Sequence, residues 1–185
     1  MTTTATEVLI AGKASVLELD FMHGSPSRAE EMERMLSVSK RNRLTVLMAD
    51  DDFDDCLLAR EAWEELKTDH LLRFVHDGQE LLDYVYHEGH HQDPRTSPSP
   101  ALILLDLNMP KKSGMEVVRV LKGDLQLQTI PIIVFSTTKN IDHIIQTYKN
   151  GANAFMSKPT SYEGYVNALK SIEVFWLTFA EIPLL

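Results

Sequence analysis

The stretch Ala101–Gly114 reads ALILLDLNMPKKSG. It begins with five apolar residues, continues with Asp106 and then contains an Asn, a Pro and a Gly. Such a run is typical of a buried strand. An ionised carboxylate is costly in apolar surroundings unless it is solvated or paired with a cation. Asp106 is therefore predicted to lie at an open strand end or beside a positive charge, and it is the first candidate functional residue.

From Leu44 onward, short apolar runs alternate with segments of helical periodicity, which is typical of βα units and a parallel sheet. We predict strands at 44–49, 71–76, 101–106, 131–136 and 153–157. The right-handed crossover rule restricts the possible connections. We expect an α/β fold of the flavodoxin-like type, a doubly wound five-stranded parallel sheet in the order 2-1-3-4-5 with helices on both faces.

Two of the predicted helices carry clear apolar stripes. The helix over 140–150 is expected to pack through Ile141, Ile144, Ile145 and Tyr148. The last helix, over 160–180, is expected to pack through Tyr165, Leu169, Ile172, Trp176 and Phe179. Further apolar side chains widen its surface beyond what one sheet contact needs. We therefore predict a homodimer or partner surface that includes Phe175 and Trp176.

Two segments differ in charge. The net charge of −9 arises after residue 43, because residues 1–43 hold six Lys/Arg and six Asp/Glu and leave 12 against 21 for residues 44–185. We interpret 1–43 as an extension that is partly disordered or forms a short helix capped by Ser25, and 44–185 as the folded domain. An acidic domain disfavours binding to nucleic acid, since phosphate contacts are made by Lys and Arg.

Cysteine content and hydropathy bear on location. Cys56 is the single cysteine, which excludes an intrachain disulfide and a cysteine-built zinc site. The apolar stretch 8–21 is interrupted by charges and lacks a basic leader, and no run reaches membrane-spanning length. We expect a cytoplasmic protein that does not bind a membrane.

The predicted strand order places three carboxylates at one edge of the sheet. Asp50 and Asp51 follow the first strand and Asp106 ends the third, on either side of the point where the chain reverses direction, and ligands bind there in such folds. Carboxylates that converge repel each other unless a cation is present. Oxygen ligands without imidazole or thiolate favour Mg²⁺.

The fourth and fifth predicted strands bring further polar groups to the same edge. Ser136 ends one strand, with Thr137 behind it, and Lys158 follows the other. A carboxylate, a metal, a hydroxyl and an ammonium around one position are the parts that stabilise charge in phosphoryl transfer. The neighbouring acids Asp52, Asp54 and Asp55 are interpreted as a solvated turn and a helix cap.

On these residues the chain resembles the receiver domains of two-component response regulators, over residues 44–183 or about three quarters of its length. It is most similar to the single-domain receivers that partner bacterial phytochromes. The features that carry this finer resemblance are the acidic start at 51–55, the long loop before Ala101 and the ending from Phe175-Trp176 to Ile182-Pro183.

The resemblance implies that Asp106 accepts a phosphoryl group from a kinase histidine. Asp51 and Asp106 would bind Mg²⁺ directly, with the backbone carbonyl of Asn108, and Asp50 would act through water. Ser136 and Phe155 would form the switch pair, with Thr137 and Lys158 at the phosphoryl group. The implied partner is a sensor histidine kinase, with a bacteriophytochrome as the candidate, or a phosphotransfer protein.

Three readings of the function follow. The first is a single-domain signalling receiver, not an enzyme, that acts through protein contact. The second is a Mg²⁺-dependent phosphohydrolase with Asp106 as nucleophile, which would need a substrate-capping element and a general acid, whereas Asn108 occupies the position two residues on. The third is a degenerate receiver that only docks, which the presence of every site residue disfavours.

Overall fold

The computed structural model describes residues 43–183. One sheet contains β1 (Thr45–Ala49), β2 (Leu71–Val75), β3 (Leu102–Leu105), β4 (Ile132–Ser136) and β5 (Ala154–Ser157). All neighbouring strands are parallel, in the order β2-β1-β3-β4-β5. The predicted α/β fold and strand order are confirmed. The predicted extension and its helix at Ser25 lie outside the described residues, and the division near Leu44 stays a prediction.

The helices are α1 (Phe53–Glu65), α2 (Gly78–Val85), α3 (Gly114–Gly123), α4 (Ile141–Lys149) and α5 (Tyr162–Ile172), and a π-helix (Glu173–Phe179) continues α5. Each α-helix is preceded by a capping residue whose side chain accepts hydrogen bonding from backbone N–H groups of the first turn. These capping residues are Asp52, Asp77, Ser113, Asn140 and Ser161. Within residues 43–183, no helix has the length and apolar character needed to cross a membrane.

The core has two layers, one on each face of the sheet. Ala59 and Trp63 of α1 pack with Leu169 of α5 against one face. Leu81 of α2 and Val118 of α3 pack against the other. Because both faces are covered, β1, β3 and β4 are buried along their whole length. Polar side chains can reach water only where these strands end, which places the functional residues there.

The predicted inward stripe of α4 is wrong in three of its four positions. Ile141, Ile145 and Tyr148 are 64%, 43% and 50% exposed, whereas the buried residue is Thr147. The Thr147 hydroxyl donates to the backbone oxygen of His143 at 2.9 Å. The helix lies beside the edge strand β5, so the sheet covers only a narrow strip of it. Periodicity identifies a face of a helix but does not show that another element covers that face.

The predicted stripe of the last helix is correct in α5 and, in the segment after α5, is wrong at Phe179. The members in α5 are buried: Tyr165, Leu169 and Ile172. From Glu173 the backbone is a π-helix, in which hydrogen bonds join residues five apart instead of four. The changed repeat turns Leu177 inward, 1% exposed, and leaves Phe179 73% exposed. Trp176 is half-buried against the same core layer.

Candidate functional site

The ends of four strands meet at one edge of the sheet. Asp50 and Asp51 follow β1, Asp106 follows β3, Ser136 is the last residue of β4, and Lys158 follows β5. In a parallel sheet these carboxyl ends lie side by side, and the structure brings together the residues that the sequence placed there. Of these residues, Asp51, Asp106 and Lys158 border an open cleft of about 560 Å³, together with Asn108 and Thr137.

Lys158 is the centre of the polar contacts. Its Nζ donates to Asp106 Oδ2 at 2.8 Å and to Asp55 Oδ2 at 2.7 Å, and it lies 2.7 Å from Asp50 Oδ2. The Lys158 side chain is 2% exposed. One buried cation therefore holds three carboxylates in place.

Asp106 is held on both of its oxygens. Its Oδ1 accepts hydrogen bonds from the backbone N–H of Leu107 and from the hydroxyl of Ser136, both at 2.6 Å. The N–H of Asn108 lies 3.3 Å from the same oxygen. Asp106 is 6% exposed, so the carboxylate faces the cleft through a small opening. This geometry fixes the orientation of the group that would react.

The electrostatics of the site reflect burial opposed by ion pairing. Burial raises the pKa of Asp50 to about 6, although Lys158 partly offsets the effect. Burial lowers the pKa of Lys158, but its contacts with Asp106, Asp50 and Asp55 outweigh burial and hold the pKa above its usual range. The ammonium is therefore charged at neutral pH, and the site retains excess negative charge.

Three of these carboxylates fit a divalent cation. Oxygens of Asp50, Asp51 and Asp106 lie within 4.8 Å of one another, and no other such group occurs among residues 43–183. Asp50 Oδ2 is buried, and within the described chain no donor is aligned for a hydrogen bond to it. Its contact with Lys158 is an ion pair only. An all-oxygen set with one exposed member, Asp51, suits a hard cation that keeps several waters.

Phe155 lies outside the cleft. It is half-buried in β5 and packs against the core layer formed by α2 and α3. Its backbone N–H donates to the Tyr148 hydroxyl at 3.0 Å, which ties β5 to α4. Ser136 and Ser157 pair in the ladder between β4 and β5, so Phe155 stands two residues before the partner of Ser136. The two members of the predicted switch pair are thus on adjacent strands.

Asp55 and Tyr165 also belong to the site, although neither is predicted as a site residue from the sequence. Asp55 was interpreted as part of a solvated turn, yet it contacts Lys158, and its Oδ1 accepts a hydrogen bond from the Tyr165 hydroxyl at 2.6 Å. Burial opposes ionisation of Asp55, but the bonds from Lys158 and Tyr165 outweigh it and hold the pKa below its usual value. The one available signal was the position of Asp55 on the same helical face as the buried Cys56 and Ala59.

The predicted partner surface is exposed at one of its two residues. Phe175 is 57% exposed, whereas Trp176 is half-buried, and their rings meet edge to face with centroids 5.2 Å apart. Phe179 adds a further exposed ring to the π-helix. An apolar surface of this kind is consistent with a protein contact but does not identify one.

The fold and the strand-end site define a class of protein. The chain belongs to the response regulator receiver domain family, whose model matches residues 46–170. This family acts in signalling, and its members bind a divalent metal. The resemblance stated from the sequence is confirmed.

The proteins to which the chain is similar include phytochrome response regulators. The chain is 33% identical to the response regulator Rcp1 of Synechocystis over 75% of this chain and 92% of Rcp1. A structure of Rcp1 has been solved in a Mn²⁺-bound form, at 32% identity and a TM-score of 0.69, covering 76% of this chain and 99% of that one.

Two further solved structures agree. Response regulator RPA3017, of red light signalling in R. palustris, is 38% identical with a TM-score of 0.73, over 77% of this chain and 99% of that one. The phosphorylated cyanobacterial phytochrome response regulator RcpA is 35% identical with a TM-score of 0.71, over 76% and 99%. The chain is thus a response regulator homologous to phytochrome response regulators, a group of receivers that interact with histidine kinases.

Proposed function

We propose that this chain is a single-domain response regulator that accepts a phosphoryl group on Asp106 from a sensor histidine kinase in a Mg²⁺-dependent reaction. The observation that carries the proposal is the placement of Asp106 between the hydroxyl of Ser136 at 2.6 Å and the ammonium of Lys158 at 2.8 Å. Both groups can stabilise negative charge on a phosphoryl group next to this carboxylate.

The proposed transfer forms one bond and breaks one. A carboxylate oxygen of Asp106 attacks phosphorus, the P–N bond to the kinase histidine breaks, and the histidine nitrogen keeps the electron pair and takes up a proton. The product on this chain is an acyl phosphate. Lys158 pairs with a phosphoryl oxygen, and the hydroxyls of Ser136 and Thr137 donate to the others.

Asp51, Asp106 and the backbone carbonyl of Asn108 would hold Mg²⁺, with Asp50 acting through water. The bound metal would supply charge neutralisation among the carboxylates and the phosphoryl oxygens. The close group of Asp50, Asp51 and Asp106 and the Mn²⁺-bound form of Rcp1 support a divalent site. Mg²⁺ is proposed because the ligands are all oxygens.

The proposed response is a local switch. The Ser136 hydroxyl would follow the phosphoryl group, and the ring of Phe155 on the neighbouring strand would turn inward behind it. The signal would leave through protein contact, and we propose the surface of Phe175 and Trp176 for a homodimer or a partner. Sedimentation with and without a beryllofluoride phosphoryl mimic tests this surface: the mimic should produce a dimer, and a monomer under both conditions contradicts it.

The proposed kinase is a bacteriophytochrome, or a phosphotransfer protein acts in its place. Two similar proteins support the first, because RcpA is a cyanobacterial phytochrome response regulator and RPA3017 acts in red light signalling. We propose the cytoplasm as the site of action, which is consistent with a buried, unpaired Cys56. Phosphotransfer profiling against histidine kinases of the source organism tests the pairing, and a rate preference for a kinase without a chromophore domain would contradict it.

The decisive experiment is incubation of the full chain with acetyl phosphate and MgCl₂, followed by intact-mass measurement. We expect a mass increase of one phosphoryl group that is lost in alkali, absent in Asp106→Asn and present in the exposed control Asp142→Asn. A parallel incubation with a phosphate ester, p-nitrophenyl phosphate, separates the receiver from a phosphohydrolase. Stoichiometric labelling with slow release of phosphate supports the receiver, whereas sustained turnover of phosphate esters overturns it and the proposal that the chain is not an enzyme.

A further inference from the structure

Lys158 has one anionic partner outside the proposed metal and phosphoryl groups, and this partner is Asp55. The Nζ atom makes two directed hydrogen bonds, one to Asp106 and one to Asp55, at 2.8 Å and 2.7 Å. Its third close carboxylate, Asp50, is an ion pair without hydrogen-bond geometry. The Asp55 side chain is 22% exposed, so most of the contact is shielded from water.

The proposed reaction would use up two of these three partners. An oxygen of Asp106 becomes part of the acyl phosphate and no longer carries a full charge, and Asp50 turns toward the metal. The lysine side chain is long and flexible, so until its ammonium pairs with a phosphoryl oxygen its position depends on an anionic partner that takes no part in the reaction. Asp55 is free of both tasks, so its contact with Lys158 can persist before and after transfer.

Asp55 is itself held from the other side. Its Oδ1 accepts a hydrogen bond from the Tyr165 hydroxyl at 2.6 Å, while its Oδ2 faces Lys158. Tyr165 is fully buried in α5, and its ring contacts that of Phe135 edge to face, with centroids 5.7 Å apart. Phe135 directly precedes Ser136. The orientation of Asp55 is therefore set by the core.

Helix capping does not account for this carboxylate. The cap of α1 is Asp52, whose Oδ1 accepts from the N–H groups of Asp54 and Asp55 at 2.9 Å and 3.3 Å. The side chain of Asp55 takes no part in that cap. Its two hydrogen bonds instead join elements far apart in the sequence, α1, α5 and the segment after β5.

We propose that Asp55, oriented by Tyr165, is a positioning residue that holds the Lys158 ammonium at the phosphoryl position throughout the transfer. The same contacts link the strand-end site to α5 and so to the helix that carries Phe175 and Trp176. The proposal rests on the phosphoryl transfer proposed above and adds a residue to it.

The kinetic test measures the rate constant for phosphorylation by acetyl phosphate with saturating Mg²⁺. Asp55→Asn cannot accept from both Lys158 and Tyr165, and we expect its rate to fall about 10- to 100-fold, as is common when an orienting partner of a functional group is removed. Tyr165→Phe should fall less, and the exposed control Asp54→Asn should stay within about twofold.

A double-mutant cycle separates positioning from a general structural effect. In a Lys158→Ala background, Asp55→Asn should change the rate by less than about twofold, because the group that Asp55 positions is gone. An equal loss in both backgrounds overturns the proposal, as does a rate for Asp55→Asn that matches Asp54→Asn.

A spectroscopic readout tests the contact independently of any reaction. In metal-free protein with ¹⁵N-labelled lysine, Asp55→Asn should shift the Lys158 Nζ resonance and speed its proton exchange, and Asp54→Asn should do neither. The shift should persist with Mg²⁺ and beryllofluoride. An unchanged resonance overturns the positioning role of Asp55, even if Asp106 is phosphorylated. If the protein is never phosphorylated, the proposed function is overturned, and the resonance still shows whether Asp55 contacts Lys158.

Discussion

Lys158 Nζ lies 2.7 Å from Asp50 Oδ2, and the two side chains are 2% and 0% exposed. Removing two charges from water costs several kcal/mol for each ion, and a single pair recovers this cost only with good geometry and further hydrogen bonds. Here Lys158 also contacts Asp55 and Asp106 at 2.7 Å and 2.8 Å, so one cation faces three anions. The negative charge of the site is therefore only partly neutralised by Lys158, and a bound divalent cation would neutralise it further.

The pH dependence of stability should reveal Asp50. Its pKa is 3.8 in the unfolded chain and about 6 in the folded protein, so between these values the folded state binds more protons. The free energy of unfolding in chelator should then fall by about 3 kcal/mol as the pH rises from about 4 to about 6.5. Asp50→Asn should lack this fall and be the more stable protein at neutral pH. Urea titrations across this range measure it, and parallel curves for the two proteins would contradict it.

Addition of Mg²⁺ should stabilise the wild type more than it stabilises Asp50→Asn. A metal that binds the ionised carboxylates stabilises the folded state in proportion to its affinity, and Asp50→Asn weakens the site. We expect the melting temperature of the wild type to rise more than that of the variant at about 10 mM Mg²⁺. Equal shifts would place the metal away from Asp50.

Replacement of Lys158 by Met should destabilise the metal-free protein at neutral pH. It leaves Asp50, Asp55 and Asp106 without the cation that contacts all three, and breaking a buried ion pair from one side costs about 3–5 kcal/mol. The matched control is Lys111→Met, which breaks a pair with Asp77 in which the lysine side chain is 66% exposed, and its loss of stability should be much smaller than that of Lys158→Met. Chemical denaturation in chelator compares them, and equal losses would refute the central role of Lys158.

Gly114 should be sensitive to a single added methyl group. A Cβ atom at this position would overlap the backbone oxygen of Asp106, so Gly114→Ala must displace the turn after β3. We expect a loss of about 1–3 kcal/mol or more in unfolding free energy and slower phosphorylation. Gly123, at the other end of α3, has open space around its Cβ position, and Gly123→Ala should be neutral or stabilising by up to about 1 kcal/mol. Similar effects at both positions would contradict the close contact.

Cys56 should be chemically inert in the folded protein. It is 4% exposed, and burial first, then the charge of Asp50, raises the pKa of the thiol to about 12. Because the thiolate is the reactive species, alkylation by iodoacetamide at about pH 8 should be at least 100-fold slower, by rough estimate, in the native protein than in urea. Intact-mass time courses measure this, and rapid native labelling would show that α1 opens around Cys56.

Much of the strand-end site was predictable because a parallel sheet has a simple rule. Residues that follow buried strands reach the same edge, so Asp50, Asp51, Asp106, Ser136 and Lys158 can be placed together from apolar runs alone. Asp55 escapes this rule, since it lies in a helix and meets Lys158 only through the packing of α1 against α5. The local signal, its position on the helical face of Cys56 and Ala59, indicates that Asp55 points inward but not which cation it contacts.

Helix faces were predictable only where another element covers them. The stripe of α5 is buried because the sheet and α1 cover it, whereas Ile141, Ile145 and Tyr148 of α4 stay exposed because β5 is an edge strand. The π-helix after Ile172 changed the repeat and brought Leu177 inward.

The amino-acid sequence by itself determined the order of the strands and the residues at their ends. The reason is that apolar runs mark each strand locally, and the right-handed crossover rule restricts how consecutive strands connect. Tertiary structure alone decided which carboxylates share the ammonium of Lys158 and which apolar faces remain open. Those outcomes depend on distances between groups that are far apart in the chain, such as the 2.7 Å from Lys158 Nζ to Asp55 Oδ2.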